Sequence, residues 1–170
     1  RVVIHYPRHV APLWVRNRQV LADENDPTSI IADNTCTACH SPTDANNQRR
    51  VPAGQLDLRN EPSDDDQLVY TSFRELLFPD NEQELIMGAL RDRLVPGPVD
   101  PVSGLPTQVA VVVQPSMSGA GANASPRFFS IFAPGGSHAG RLDPAELRLV
   151  AEWLDLGGQY YNDPFAIPVN

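Results

Sequence analysis

Both cysteines of this 170-residue chain lie in one five-residue stretch, Cys36-Thr37-Ala38-Cys39-His40. Two thiols three positions apart, followed at once by an imidazole, match the C-x-x-C-H pattern of covalent haem attachment. On one turn of helix the two sulfurs reach the vinyl groups along one edge of a porphyrin. The histidine that follows is then carried under the ring with its nitrogen aimed at the iron. Three other chemistries compete for these residues. A structural zinc site needs two further ligands, and the chain has no second C-x-x-C. A redox dithiol expects a strand before it and a helix after it in an alternating α/β pattern. The preceding "DPTSIIADNT" reads instead as loop. A disulfide between Cys36 and Cys39 would close a tiny ring and leave His40 without a role. A single motif implies a single covalent haem c per chain.

Bulk properties narrow the function further. The formal charge is −8 and the sequence pI about 4.8. A nucleic-acid surface needs clustered Lys and Arg, so that class of partner is excluded. Acidic runs such as Asp64-Asp65-Asp66 read as solvated faces that can also steer a basic partner. No stretch approaches the roughly 20 apolar residues of a membrane span. The chain opens on Arg1 without an initiator Met and without the regions of a signal peptide, so it reads as a mature or excised segment. Hydrophobic residues at 41% support a core, and the length suits a single domain over 1–170. With 17 Pro and 11 Gly, many turns and few long regular elements are expected.

Several elements must position the motif. Val10, Leu13, Trp14 and Val20 fall at helical spacing over 5–23, with Pro7 suited to a helix start and Pro12 awkward in its interior. A second amphipathic helix is expected over 64–78, with Leu68, Val69, Phe73, Leu76 and Leu77 inward. A third is expected over 80–95, capped by Asn81, with Leu85, Ile86, Ala89 and Leu90 inward and Met87 in the core. The stretch 95–106 is a Pro/Gly loop, and 107–116 a short strand or extended wall. The last helix is the best defined. Asp143 serves as N-cap, Pro144 starts the helix, and Glu146 completes a capping box. Leu142 is the staple, Leu147, Val150, Trp153 and Leu154 form the buried stripe, and Gly157-Gly158 ends it. A coil follows over 159–170.

A haem is a large apolar disc with two carboxylates. Trp14, Phe73, Phe128, Phe129 and Phe132, with the Val109–Val113 run, are suited to its walls. Arg127, and after it Arg141 and Tyr70, could meet the propionates, since arginine pairs bidentately with carboxylates.

The order of these parts resembles the class I cytochrome c family. "HVAPLW" ahead of "NTCTACH" looks like the segment preceding the haem motif in small bacterial cytochrome domains, and "VPAGQLDL" resembles the loop after it. The tail "HAGRLDPAELRLVAEWLDLGGQYYNDP" is similar to the end of cytochrome c domains in exported bacterial proteins, including those related to the hydrazine synthase alpha subunit. The resemblance implies an all-α, cytochrome c-like helical fold around one covalent haem, with 96–134 as a long insertion carrying at most a short strand. It implies that the carbonyl of Pro52 accepts the N–H of His40, fixing its tautomer. It also implies a sixth ligand from the loop ahead of the last helix. The family usually places Met there; here the residue is His138, with Met117 the alternative. His5 and His9, near a helix start, read as surface or capping groups.

The expected function is electron transfer by one six-coordinate haem with His40 and His138 on the iron. Alternatives are a His/Met carrier, a relay or catalytic haem domain of a larger exported oxidoreductase, peroxidase-like or hydrazine-synthase-like, or a module whose haem is structural. Whether the chain is itself an enzyme stays open, with a carrier favoured. The partner would be a redox protein, basic by charge complementarity, or neighbouring haem domains or identical subunits. Covalent haem attachment outside the cytoplasm places the protein in the periplasm or beyond the cell.

Overall fold

The structure is a computed structural model that describes residues 3–162. It corrects the expected all-α class: 28% of the described residues are helix and 21% strand, in several small antiparallel sheets, so the fold is mixed α/β. The helix expected over 5–23 is two short pieces followed by a strand. A π-helical turn at Tyr6–Val10 runs into α1 (Ala11–Val15), and each proline occupies a first-turn position. There the missing proline N–H has no intrahelical partner to lose. The chain then extends into β1 (Gln19–Leu21), paired antiparallel with β2 (Ile30–Asp33). The segment ahead of the thiols, expected as loop, is therefore half of a hairpin.

The single turn α2 (Cys36–Cys39) follows, and then a long coil that ends in α3 (Thr71–Leu77). Phe73 and Leu76 face inward as expected, whereas Leu68 lies outside the helix and is exposed. The helix expected over 80–95 is a hairpin. β4 (Gln83–Ile86) pairs with β5 (Ala89–Asp92) around a two-residue turn in which Met87 and Gly88 both have positive φ, 51° and 79°. That geometry matches the right-handed twist of two strands and cannot continue a helix. Leu85, Ile86 and Met87 are exposed, Met87 completely, so none is core. Polar pairs hold the ladder instead: Glu84 stands opposite Arg91, and Gln83 Nε2 donates to Asp92 at 2.6 Å.

The 96–134 stretch is likewise not a loop throughout. β6 (Leu94–Val99) pairs with β7 (Pro106–Ala110). Prolines fit here because a two-stranded ribbon leaves one side of each strand free of ladder bonds. A Cβ on Gly97 would stand 2.7 Å from the Thr107 hydroxyl, so a larger residue would force that side chain to shift. β3 (Asp80–Asn81) and β8 (Val112–Val113) pair at the base of both hairpins and return the chain to α3. α4 (Pro126–Ser130) and α5 (Pro144–Asp155) complete the order.

The last helix is built as expected. Asp143 Oδ1 accepts the Glu146 N–H at 2.8 Å, and Glu146 Oε2 accepts the Asp143 N–H at 2.9 Å. Leu142 is buried beside it, and Gly157 and Gly158 end it at positive φ. Its Val150, Trp153 and Leu154 pack with Tyr6, Val10, Trp14, Phe73 and Leu76 in one cluster. Burying each large side chain contributes about 2 kcal/mol. A hydrogen-bonded chain threads this cluster: Trp14 Nε1 donates to Tyr6 Oη, Tyr6 Oη to Ser72 Oγ, and Ser72 Oγ to Asn60 Oδ1. Asn60 Nδ2 in turn donates to the Ala11 carbonyl. These buried polar groups are thus satisfied, and the network holds α1 to α3. The coil expected over 159–170 lies, beyond 162, outside the described residues.

Candidate functional site

α2 holds the thiols on a single turn. The His40 N–H donates to the Cys36 carbonyl at 2.9 Å, and the Leu58 N–H donates to the His40 carbonyl at 2.9 Å. The motif histidine is therefore fixed by backbone on both sides. Arg50 locks the turn from below, donating to the Ala38 carbonyl at 2.6 Å, the Ser41 carbonyl at 3.1 Å and the Ser41 hydroxyl at 3.0 Å. It satisfies a carbonyl left open at the end of the turn. Both thiols are free, Cys36 half-buried and Cys39 exposed.

Above the motif is a cavity of about 470 Å³, within the range of cofactor and ligand sites. Cys36, Cys39, His40, His138, Arg127 and Arg141 all line it. Trp14, Leu58, Leu76, Phe128 and Phe132 supply apolar wall. The His40 and His138 ring centroids are 5.9 Å apart with an interplanar angle of 35°. Two imidazoles on opposite sides of one metal, each about 2.0 Å from it as in nitrogen-ligated metal sites, have centres roughly 6 Å apart. The loop carrying His138 folds tightly enough to reach this position because residue 136 is glycine: a Cβ there would collide with the Ile131 carbonyl. That carbonyl accepts the His138 N–H at 2.8 Å. Ser137 Oγ lies 2.9 Å from His138 Nδ1, which leaves Nε2 for a ligand.

The electrostatics favour neutral donors. Burial, helped by the charge of Arg141, holds His138 below the usual histidine range. Burial also lowers His40, with His138 and Arg141 adding to the effect. The backbone of Ala53 and of Leu56 approaches the His40 ring and favours its charged form, yet neither makes a well-formed hydrogen bond, and Nδ1 is buried without a partner. Both rings are therefore neutral at pH 7, with lone pairs available to a metal. Burial pushes the Cys36 thiol up, against the pull of the nearby Arg18 guanidinium.

The cavity brings together Trp14, Cys36, Cys39, His40, Arg127, Phe128 and His138, along with Phe132, Arg141 and Val113. Other expected residues stand elsewhere. Phe129 packs edge-on against Phe128, centroids 5.2 Å apart, and faces a shallow outer groove with Pro126 and Ala151. Met117 is a core residue outside the cavity lining, its N–H bonded to the Leu76 carbonyl. The Pro52 carbonyl accepts the Gln55 N–H at 2.9 Å, and it is the backbone of its neighbour Ala53 that approaches His40. Phe73 and Tyr70 belong to the aromatic cluster around Tyr160. His9 Nδ1 accepts the His5 N–H, a capping role as expected. Leu56, Leu58, Leu76 and Ile131 were not singled out as wall residues. The alternation in "LDL" after the motif could have pointed to the first two, but nothing in the sequence marks Arg50.

Among the described residues no group of three or more His, Cys, Asp or Glu converges to hold a metal ion. Two imidazoles and two thiols lining one largely apolar cavity could hold a flat macrocycle that brings its own equatorial ligands. No helix among the described residues is long and apolar enough to cross a membrane. Comparison of the chain with protein-family models, with curated proteins and with solved structures returned no match.

Proposed function

We propose that the chain carries one haem c, bonded through Cys36 and Cys39 and ligated by His40 and His138, and that it transfers single electrons. The observation that carries this reading is the pair of neutral imidazoles lining one cavity with ring centroids 5.9 Å apart, one of them directly after two free thiols. Bound there, the haem supplies a one-electron ferric–ferrous couple. The chain's own residues do the rest. His40 and His138 would both hold the iron and leave it no open site, which favours a carrier over an enzyme that binds oxygen or peroxide. Two imidazoles favour ferric iron, whereas a Met ligand would raise the potential. Trp14, Phe128 and Phe132 exclude water from the ring faces. Arg127 and Arg141 meet the propionates. The acidic surface selects a basic redox partner and speeds the encounter. Because the thioether bonds form outside the cytoplasm, the protein works in the periplasm or beyond the cell.

Production in a host with the haem-attachment machinery tests the reading. The purified protein should keep its red colour after acid–organic extraction, and a colourless, folded product would overturn it. His138→Ala should convert a six-coordinate low-spin spectrum to high spin. An unchanged spectrum would remove His138 from the iron.

A further inference from the structure

The large cavity shares a wall with a small crevice. Gly54, Leu56, Val113, Gln114 and Ser116 line both. Across that wall stand the carboxyls of Glu75 and Asp80, which line the crevice but not the cavity. Glu75 sits on α3 directly before Leu76, which is fully buried and forms part of the cavity wall. Glu75 and Asp80 line the same crevice, and the Asp57 N–H donates to Glu75 Oε2 at 3.4 Å. Two carboxyls on one small crevice disfavour each other's ionisation, which raises the proton affinity of the pair.

The charged groups around the pair leave it uncompensated. Asp57 is turned toward Arg59, which binds both its oxygens, the closest at 2.8 Å. Arg74, next to Glu75 in sequence, is paired with Asp65 at 3.1 Å. Among the described residues no arginine forms an ion pair with Glu75 or Asp80. Burial first, and then Asp80, push Glu75 up to about 8, so it is poised to gain or lose a proton near neutral pH. A second hollow, lined by Ser63, the exposed Asp65, Thr71 and Arg74, includes the same two residues in its lining.

We propose that the Glu75–Asp80 pair binds a proton when the haem is reduced and releases it on oxidation, so that the chain carries one proton with each electron. The inference rests on the haem reading above. The electron comes from the redox partner and reduces ferric iron to ferrous; the proton comes from water and converts the Glu75 carboxylate to the acid. The added electron makes the cavity one charge more negative, which raises the proton affinity of a carboxyl on the adjoining crevice. By thermodynamic reciprocity the bound proton raises the electron affinity of the iron by the same factor.

The test is spectroelectrochemical titration of the haem-loaded protein from pH 5 to 10. In the unaltered chain the equilibrium constant for reduction should fall as pH rises through a window around 8, by at most about tenfold per pH unit for one proton per electron. Glu75→Gln should flatten that window. Asp80→Asn, which leaves Glu75 with a neutral neighbour, should move it to lower pH. The reduced-minus-oxidised infrared spectrum of the unaltered chain should show a protonated-carboxyl stretch, an independent readout should either variant fold poorly. An unchanged pH dependence in Glu75→Gln, or a difference spectrum without that stretch, would overturn the proposal and leave the haem reading intact. A protein with no bound haem would overturn both, and haem staining tells the cases apart.

Discussion

Glu146 ties the last helix to the segment leading into the thiols, and replacing it measures how much that tie stabilises the fold. Its Oε1 accepts from Arg16 Nη1 and Arg18 Nη2, both at 2.8 Å, while its Oε2 closes the capping box. The two ion pairs are unequal. The Arg16 side chain is 60% exposed and that of Arg18 only 14% exposed. An exposed pair contributes about 0.2–1 kcal/mol, whereas stripping the partner from a buried charge costs about 3–5 kcal/mol. Glu146→Gln keeps the capping-box acceptor and leaves Arg18 with only the Leu13 carbonyl at 3.2 Å. The expected loss is about 3 kcal/mol, or roughly 6–12 °C in Tm for a domain of this size. The sign of the pH dependence follows from the carboxyl. Arg18 and the Asp143 N–H hold Glu146 below the usual glutamate range, despite burial. Its stabilisation is therefore complete above the unfolded-state value near 4.3 and fades as pH falls through the lower folded-state value. Thermal denaturation of both proteins between pH 2.5 and 8 reads this directly. The Tm gap should be full at pH 7 and close at the acid end. A gap below 2 °C at pH 7, or one that persists undiminished in acid, would refute the argument.

Two further stability predictions follow from other elements. Ser72→Ala removes the acceptor of the Tyr6 hydroxyl and the donor to Asn60; with two groups unpaired at about 1–3 kcal/mol each, circular dichroism should show a Tm lower by roughly 4–24 °C. Met87→Asn puts a residue suited to the first turn position of β4–β5, where φ is 51°, and should raise stability in denaturant titration by about 0.5–1 kcal/mol; a loss of about 2–5 kcal/mol, as for a truncated core side chain, would restore Met87 to the interior.

How much was legible in the sequence differs between elements for identifiable reasons. The last helix could be read almost residue by residue, because Asp143, Pro144 and Glu146 cap it through bonds confined to its first turn. The hairpin at 83–92 could not. Leu85, Ile86, Ala89 and Leu90 satisfy the spacing of one helix face, yet the same four residues stand opposite one another as the pairs Leu85–Leu90 and Ile86–Ala89. Periodicity alone does not separate these arrangements. The positive φ of Met87, a residue type that seldom adopts it, decides between them. Proline density over 95–106 suggested irregular chain, but an isolated two-stranded ribbon tolerates prolines that a central strand would not.

The same division runs through the candidate site. The sequence alone determined the thiol–thiol–imidazole unit, because its chemistry resides in five consecutive residues that any single helical turn presents together. It also marked His138 and several aromatic and arginine residues as suited to the far wall. Only the tertiary structure decided which of them face the motif: His138, Phe128 and Arg127 line the cavity, while Met117 and Phe129 do not. That outcome depends on contacts between segments distant in the chain, on the approach that Gly136 permits, and on the loop that Arg50 locks beneath the motif. Such contacts arise from packing over the whole molecule, and no local pattern encodes them.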